Sequence, residues 1–376
     1  MRDEITQAVL AREDVARYLR GGARESEGQA RERIFAYLDE LRTTQRYGIY
    51  RNLKHPLYPI LRKVTRLAEH VDIVREATTA GRVIYVSNHK SHLDYLVEPL
   101  VLEDHAIRPP LIAAGINLFG GPLGMLHRHI TGAVPIRRDA KDPAYLVTLK
   151  AYVAELLKRH DLLYYFEGGR SYTGELKTPK TGLMHAALQA ERDDVVIVPT
   201  AVAYDIVLED RILARQGTKS QQRPFTRELA EMVTAAVGFT TRAFVTFGTP
   251  IPLKGWDPNA RRDVVTLART TRDAIGRLHK VLPSAVVATA VRPSMTEADL
   301  RERVAEVLAG LGEYGANLDS SDPAEVTERG TADLARRGIL VHDRSVLRVR
   351  DRSVLRYYAR SILHVSAPPK RAPRTH

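Results

Sequence analysis

Cysteine is absent from the 376 residues of this chain. Its absence excludes disulfides, cysteine-bound zinc and a thiol nucleophile, and it is compatible with a reducing compartment. Long apolar runs are missing too, so we expect no membrane-spanning helix. The first residues, Met1-Arg2-Asp3-Glu4, are mostly charged and no apolar core follows them, so we predict no secretory signal peptide.

Positive charge is what the chain has in excess. The 57 lysines and arginines outnumber the 45 acids, and the formal net charge is +12. Such a surface attracts nucleic acids, anionic lipids or phosphorylated substrates, and composition does not choose among them. The nearest approach to a membrane segment is the uncharged stretch from Leu111 to His127, which glycines and Pro122 interrupt. It fits a buried strand plus turn and a membrane-resting segment equally well.

The order of apolar and polar segments predicts an α/β fold in which helices cover a central mixed sheet. Before the sheet, helical periodicity predicts a first helix that ends near Gly21-Gly22 and a second in which Ile34, Phe35 and Leu38 share one face. A third helix is predicted from about Leu57 to Ala77. The predicted divisions are an N-terminal helical region (1–78), an α/β domain (79–255), a mostly helical C-terminal region (256–366) and a disordered basic tail (367–376).

Within residues 79–255, short apolar runs alternate with helical segments. The clearest helix is predicted at 143–159, where Asp142 can cap the first turn and Pro143 fits its first position. Its predicted buried stripe is Leu146, Leu149, Val153, Leu156 and Leu157. Gly217 to Phe225 is predicted to be a polar loop. The predicted strands are Val83–Val86, Leu111–Ala114, Ala133–Ile136, Leu162–Phe166, Val195–Ala203 and Ala243–Phe247.

The C-terminal region is predicted to contain a small α+β module that resembles a winged helix. Thr296 and Asp299 have the spacing of a helix start. Its remaining predicted elements are helices near 322–336 and 353–364 and two short strands, Ile339–Val341 and Val346–Val349.

A polar segment follows the strand that ends at Ser87. Ser91 and Asp94 have the spacing of a capping box, which places Asp94 in the first turn of a helix. Because residues five apart do not share a helix face, His89 can meet Asp94 only from the loop before the helix. The carboxylate would then fix the imidazole tautomer and leave the other nitrogen as a base, and the helix start would offer N–H groups to a developing negative charge. On spacing alone, a capped helix with two loop histidines is the better interpretation, and His92 is a rival base.

Three further motifs follow Asn88–Asp94 in the chain. They are Gly132–Arg138, Phe166–Ser171 and Ile197–Pro199. In this order the four motifs resemble those of the glycerolipid acyltransferase superfamily. Several details resemble its membrane-associated bacterial glycerol-3-phosphate acyltransferases in particular. They are Tyr95, the stretch Ile112–Leu118, Thr173-Gly174, Pro179–Gly182 and the segment Leu355–His364.

The resemblance is dense over about 83–252 and has departures. Pro135 stands where that branch has an aromatic or aliphatic residue, and Tyr172 where an arginine is common. The chain is also shorter than the well-known bacterial enzymes. These departures concern the identity of the acceptor more than the chemistry.

The resemblance implies transfer of a fatty acyl group from acyl-CoA or acyl carrier protein to the sn-1 hydroxyl of glycerol 3-phosphate, which gives lysophosphatidic acid. It implies His89 as general base and Asp94 as the residue that orients it. Of Arg137 and Arg138, strand neighbours that point to opposite faces, one is expected at the phosphate. The implied substrate-binding residues are Arg137, Arg138, Glu167, Gly168, Gly169, Arg170, Ser171, Lys180 and Pro199.

No metal and no cofactor is expected beyond the acyl-CoA or acyl carrier protein co-substrate. The lipid product and the basic surface predict a peripheral protein on an anionic membrane surface, at the cytoplasmic face. Lysophosphatidic acid and dihydroxyacetone phosphate are alternative acceptors. A basic winged-helix nucleic-acid-binding protein is an alternative of another class, although aromatic residues are only 6% of the chain. A lipid-surface protein with an idle site is a third alternative, which the intact motifs disfavour.

Overall fold

The fold is described here from a computed structural model of the chain. It describes residues 2–22, 26–49, 52, 63–120, 124–125, 128–138, 140–190, 192–216 and 240–366. The predicted polar loop Gly217–Phe225 and the predicted basic tail 367–376 lie outside these residues.

A mixed eight-stranded sheet forms the centre of the fold, as predicted. Its order is β1-β7-β6-β2-β5-β3-β4, and β8 pairs with β6. All neighbours are parallel except that β6 is antiparallel to β7 and to β8. The strands are β1 (Val64–Glu69), β2 (Arg82–Ser87), β3 (Leu111–Gly115), β4 (Ala133–Ile136), β5 (Leu162–Tyr165), β6 (Val195–Tyr204), β7 (Thr241–Phe247) and β8 (Ile251–Pro252).

The predicted helix from Leu57 to Ala77 is wrong. Val64–Glu69 forms β1, which pairs along its whole length with β7, and a helix begins only at Val71. His70, between the two elements, has φ 60°, a left-handed conformation that a continuous helix does not allow. β1 is thus an edge strand of the central sheet, although it lies within the predicted N-terminal helical region (1–78).

Helices cover both faces of the sheet. Ile34 and Leu38 are buried as predicted, whereas Phe35 is 39% exposed. The predicted helix at 143–159 is confirmed as Pro143–Leu157, and Asp142 accepts a hydrogen bond from the N–H of Ala144. The helices before residue 250 are α1 (Arg2–Ala11), α2 (Glu13–Arg17), α3 (Glu27–Leu41), α4 (Val71–Ala80), α5 (Asp94–Asp104), α6 (Pro143–Leu157), α7 (Gly182–Leu188) and α8 (Asp210–Gln216), with a π turn (Tyr18–Gly22) after α2 and a 3₁₀ turn (Ile116–Phe119) after β3.

Two predictions near these helices need correction. Leu146 of the predicted α6 stripe is 38% exposed. Most other positions of α6 are buried, and Leu146 lies on the side of the helix that faces the surface. The first predicted helix is not continuous to Gly21-Gly22, since α1 ends at Ala11 and a short helix and the π turn follow. Of the stretch from Leu111 to His127, the described part is a strand and a 3₁₀ turn.

The C-terminal region begins with a long helix and continues as a small α+β module. Thr296 caps a helix as predicted, because its side chain accepts the N–H of Asp299. The predicted helix at 353–364 is interrupted near Ser361. The elements are α9 (Arg261–Leu278), α10 (Pro283–Ala290), β9 (Ser294–Met295), α11 (Glu297–Glu313), α12 (Pro323–Arg336), β10 (Leu340–Asp343), β11 (Val346–Val349), α13 (Arg352–Arg360) and α14 (Leu363–Ser366). In the small sheet, β11 pairs antiparallel with both β10 and β9.

The central sheet separates two apolar cores. Along β2, Val83 and Tyr85 pack into one core, and Ile84 and Val86 pack into the other. This alternation follows from the two-residue period of a strand. Because β2, β3, β4 and β5 are parallel, their carboxyl ends lie at one edge of the sheet. The loops that leave this edge are the place where an α/β sheet binds ligands.

Candidate active site

A cavity of about 130 Å³ opens at the carboxyl edge of β2, β3, β4 and β5. One part of its wall is apolar and includes Ala113, Leu118 and Ile136. The polar part is formed by residues from three of the predicted motifs. They are His89, His92, Arg138, Gly168, Gly169 and Arg170.

His89 and Asp94 form the predicted pair. Nδ1 of His89 lies 2.8 Å from Oδ2 of Asp94. Asp94 is the first residue of α5 and is fully buried, and His89 precedes the helix in the loop after β2. Since the carboxylate occupies Nδ1, the network assigns the proton to that nitrogen and leaves Nε2 as the basic atom. The ring of Tyr165 is stacked on the imidazole at 4.2 Å between centroids and fixes its plane.

Main-chain hydrogen bonds hold Asp94 in this position. Oδ2 also accepts the N–H groups of Lys90 and Ser91, at 2.7 and 2.9 Å, and Oδ1 accepts the hydroxyl of Tyr204 at 2.7 Å. The bond from Ser91 is the half of the capping box that the sequence predicts. In the other half, Ser91 Oγ accepts from Leu93 instead of Asp94.

The predicted oxyanion role of the helix start is not supported for the N–H groups from His89 to Asp94. All N–H groups from His89 to Asp94 donate to acceptors within the protein. His89 donates to Glu167, Lys90 and Ser91 to Asp94, His92 to Glu209, Leu93 to Ser91 Oγ and Asp94 to the Ser91 carbonyl. These donors fix the conformation of the loop and are not directed at the cavity.

Burial shifts the pKa values of both members of the pair. It raises the pKa of Asp94 from 3.8 to about 7, although the hydrogen bonds from Ser91, Tyr204 and Lys90 lower it. It lowers the pKa of His89 well below 6.5, and the positive charges of Arg170, Arg138 and Lys177 add to this effect. His89 is therefore a neutral base at neutral pH. Ionised Asp94 is the form suited to stabilise a protonated imidazole.

The predicted arginine pair divides as strand neighbours do. The guanidinium of Arg138 lines the cavity between two glycines, since a Cβ on Gly115 would come within 3.0 Å of Nη2 and one on Gly169 within 3.5 Å of Nη1. Arg137 points to the other face. It forms a two-pronged ion pair with Glu40, 2.7 Å from Nε to Oε1, and does not line the cavity. The predicted substrate contact of Arg137 is thus not supported.

Arg170 reaches the cavity from the loop after β5. Gly168 has φ 68°, which a residue with a side chain adopts only under strain, and this turn directs Arg170 inward. The guanidinium is buried, lies 5.8 Å from the centroid of the Tyr172 ring, and has Nη1 3.7 Å from Oε1 of Glu209. Lys177 lies over the same ring and donates to the carbonyls of Gly169 and Arg170. The ring of Tyr172 thus lies next to two cations, Arg170 and Lys177.

Glu167 lies beneath the loop that carries His89. Its Oε1 accepts the N–H of His89 at 3.3 Å, and the side chain is buried. Burial raises its pKa to about 7, opposed by the positive charges of Lys90 and Lys177. Glu167 therefore holds the main chain of His89 in place, and it does not line the cavity.

Three other predicted substrate-binding residues lie outside the cavity wall. Ser171 is buried, donates its N–H to the carbonyl of His89 and its hydroxyl to the carbonyl of Glu175, and so holds two loops together. Lys180 is exposed, with its side chain against Gly168. Pro199 lies within β6 opposite Val86, and its carbonyl accepts the N–H of Gly248. Their geometry is that of supporting residues.

Other residues complete the site without having been predicted. Tyr165 and Tyr204 contact the His–Asp pair, and Glu209 accepts both the hydroxyl of Ser91 and the N–H of His92. Glu209 lies 118 residues from Ser91 and 117 residues from His92 in the chain. No local pattern could identify it. Tyr165 at the end of a predicted strand next to a motif was the one available signal.

Comparison with known proteins agrees with this geometry. The acyltransferase family model matches residues 59–203. A glycerol-3-phosphate acyltransferase of Actinobacillus succinogenes is 34% identical over 277 residues, which cover 68% of this chain and 34% of that protein. One of Pasteurella multocida is 31% identical over 289 residues, 69% of this chain and 36% of that protein. The chain thus spans about a third of the length of these curated relatives.

Among solved structures, the 1-acyl-sn-glycerophosphate acyltransferase of Thermotoga maritima aligns with a TM-score of 0.35 and 14% identity, over 72% of this chain and 94% of that one. A TM-score this low does not establish a shared fold.

The sheet and its His–Asp pair define an α/β domain with an acid/base centre at the carboxyl edge. Residues 59–203, which contain the His–Asp pair, match the acyltransferase family model. In the part of the chain that is described, no cluster of three histidine or acidic side chains could hold a metal ion. Nor does any helix in these residues have the length and apolarity to cross a membrane.

Proposed function

We propose that this protein transfers a fatty acyl group from acyl-CoA or acyl carrier protein to the sn-1 hydroxyl of glycerol 3-phosphate, giving lysophosphatidic acid. One observation carries the proposal: His89 and two arginines, the exposed Arg138 and the buried Arg170, border the same cavity. An acceptor that presents a hydroxyl at one end and a phosphate at the other matches this arrangement. The names of the two bacterial relatives support the same acceptor.

The chemistry follows from the pair. Nε2 of His89 takes the proton of the acceptor hydroxyl while the hydroxyl oxygen attacks the thioester carbon. Asp94 stabilises the imidazolium that forms. The tetrahedral intermediate then expels the thiolate, and the imidazolium returns the proton to the sulfur. Proton transfer by a placed base contributes about two to four orders of magnitude in rate. Transfer from a thioester in this way needs no cofactor.

The cationic wall suits a phosphate. Guanidinium groups bind phosphate oxygens in a two-pronged manner, and Lys177 adds a third positive charge near His89. The cavity of about 130 Å³ is several times the roughly 10–15 Å³ that one water needs, so it has room for a small polar molecule. Glycerol 3-phosphate is a molecule of that class. Dihydroxyacetone phosphate is similar in size, while lysophosphatidic acid would have to leave its acyl chain outside.

We also propose that the protein binds peripherally to an anionic membrane at the cytoplasmic face. The lipid product and the net charge of +12 support this. Sedimentation with anionic and with neutral vesicles at low salt tests it, and a protein that stays in the supernatant with both would contradict it.

The nucleic-acid alternative gains no support from the C-terminal module. On α12 the half-buried Arg329 and the exposed Arg336 form ion pairs within the helix and its flank. Arg329 pairs with Glu325 and Asp319, and Arg336 pairs with Asp333. A helix that reads phosphates would keep such side chains available. We therefore propose a function without nucleic acid.

Incubation with palmitoyl-CoA and one of three acceptors tests the proposal: glycerol 3-phosphate, dihydroxyacetone phosphate or lysophosphatidic acid. We expect lysophosphatidic acid from the first, identified by mass spectrometry. His89→Ala should fold and lose at least about a hundredfold in turnover, whereas His105→Ala, on the far end of α5, should retain it. Acylation of lysophosphatidic acid alone, or near-native turnover by folded His89→Ala, would overturn the proposal.

A further inference from the structure

We infer that Glu209 is a positioning residue that fixes the His89 loop and Arg170 relative to each other, and that the C-terminal module holds Glu209 in place through the adjacent Asp210. The inference rests on the proposed function, because it assigns these residues a part in binding the phosphorylated acceptor.

Glu209 joins two loops of the cavity. Its carboxylate accepts the hydroxyl of Ser91 at 2.9 and 3.0 Å and the N–H of His92 at 2.7 Å. Its Oε1 lies 3.7 Å from Nη1 of Arg170. The carboxylate is 2% exposed, so these interactions act with little screening by solvent. The loop that carries the base and the loop that carries a phosphate ligand thus share one buried anion.

Asp210 faces the opposite way, toward the C-terminal region. It accepts three hydrogen bonds from the guanidinium of Arg337, between 2.6 and 3.1 Å, and one from the hydroxyl of Tyr358 at 2.9 Å. Tyr358 also accepts the N–H of Val207, and Arg337 donates to the carbonyl of Leu208. All of these contacts hold residues 207–210, and Glu209 lies within this segment, directly before α8.

A second contact connects the module to the cavity loops. A Cβ on Gly174 would lie 2.0 Å from the carbonyl oxygen of Tyr357, so the loop after Arg170 packs directly on α13. The carbonyl of Gly174 in turn accepts a hydrogen bond of 2.7 Å from the buried ammonium of Lys90, the residue after His89. The module therefore supports both sides of the site, through Glu209 and through Gly174.

In this arrangement Glu209 does more than stabilise the fold, because it also positions Arg170. Without the charge of Glu209, Arg170 loses the buried anion that lies 3.7 Å from its Nη1, and its guanidinium would reorient. Displacement of a binding group by about 1 Å can cost on the order of a hundredfold. The loss should appear chiefly in acceptor binding, because Arg170 borders the cavity that we propose for the phosphate of the acceptor.

The test compares Glu209→Gln with Asp205→Asn in the full-length protein. We expect Glu209→Gln to raise the KM for glycerol 3-phosphate about 10- to 100-fold, with the KM for palmitoyl-CoA within about twofold. A partly unfolded enzyme would lose kcat and keep both KM values. Asp205 is the matched control, since it is buried on the same segment but binds Thr241 and Arg242. Its variant should lower the melting temperature and leave both KM values unchanged.

Hydrogen exchange of the peptide 88–94 provides a readout that does not need turnover. Exchange should be faster in Glu209→Gln and unchanged in Asp205→Asn, because Glu209 accepts the N–H of His92. If wild-type protein fails to acylate glycerol 3-phosphate, the proposed function fails, while the exchange result still decides the position of Glu209. Unchanged exchange together with an unchanged acceptor KM would overturn the inference.

Tyr358→Phe serves if Glu209→Gln does not fold. It keeps the ring and removes only the hydroxyl that contacts Asp210 and Val207. We expect a rise of about three- to tenfold in the acceptor KM. An unchanged KM would remove the C-terminal module from the inference.

Discussion

Replacing Asp94 by asparagine isolates the electrostatic part of the His–Asp pair. The shape of the side chain is kept, and its oxygen can still accept from His89 Nδ1 and from the N–H groups of Lys90 and Ser91. The new amide can donate to the hydroxyl oxygen of Tyr204, which now donates to Asp94. The fold and the imidazole tautomer should therefore survive, and the negative charge is what is lost.

The size of the effect follows from the distance in the pair. Two unit charges 2.8 Å apart attract by about 6 kcal/mol at an effective dielectric constant of about 20. Because each 1.36 kcal/mol is about tenfold in rate, the upper limit is a loss of about 10⁴ in kcat. The amide dipole replaces part of the attraction, so we expect a loss between about 10² and 10⁴.

The lack of cysteine makes the assay simple. A thiol reagent added to the reaction reports only the CoA released from palmitoyl-CoA, since the protein itself contributes no thiol. Asp72→Asn is the matched control, because its side chain is 95% exposed on α4. Turnover by folded Asp94→Asn within tenfold of wild type would refute the electrostatic role of Asp94.

Further predictions concern pH, the arginine pair and a buried histidine. kcat/KM should rise with pH through about 7, because the pKa of Asp94 is about 7 and its ionised form is required; a flat profile from pH 6 to 8 would contradict this. Arg138→Ala should raise the acceptor KM about 10- to 100-fold, whereas Arg137→Ala should leave it unchanged and cost at most about 1 kcal/mol of unfolding free energy. Burial lowers the pKa of His364 from 6.5 to about 3, so the unfolded chain binds the proton first, and stability should fall by up to about 1.4 kcal/mol per pH unit below 6.5. Urea titrations at several pH values should show a shallower fall for His364→Leu.

The sequence predicts elements well where one pattern dominates. β2 to β7 and α6 lie where apolar runs and a capped stripe predict them. β1 fails because Val64–Glu69 has no periodicity that distinguishes a strand from a helix, and its pairing with β7 is about 180 residues distant in the chain, as the bond from Thr246 to Glu69 shows at a separation of 177. Its assignment depends on a partner that local sequence does not contain.

For the site, spacing alone favours a capped helix with two loop histidines, and the three further motifs are what make a contact between His89 and Asp94 the better prediction. Spacing contributes the geometry, in which His89 lies in the loop and Asp94 in the first turn of the helix. It predicts that Arg137 and Arg138 diverge but not which one reaches the cavity. That choice depends on Gly115 at the end of β3 and Gly169 in the loop after β5, which leave space for Arg138. The acceptors of two loop donors are hidden from local sequence in the same way, since Glu167 and Glu209, which accept the N–H groups of His89 and His92, come from distant segments.

The cations of the cavity connect acceptor binding to the strength of the base. Arg170, Arg138 and Lys177 lower the pKa of His89 in addition to the larger effect of burial. The same three groups are the ones that a phosphate dianion would neutralise. Bound glycerol 3-phosphate should therefore raise the pKa of His89 toward its ordinary value of 6.5 and make Nε2 a stronger base only when an acceptor is present. In the empty site the same imidazole is weakly basic, which disfavours activation of water and loss of the acyl group to hydrolysis.

The measurable consequence is that glycerol, which lacks the phosphate, should be acylated with a lower kcat even at saturation. Inorganic phosphate added with glycerol should restore part of this kcat. A glycerol kcat equal to that of glycerol 3-phosphate would show that the phosphate contributes to binding alone.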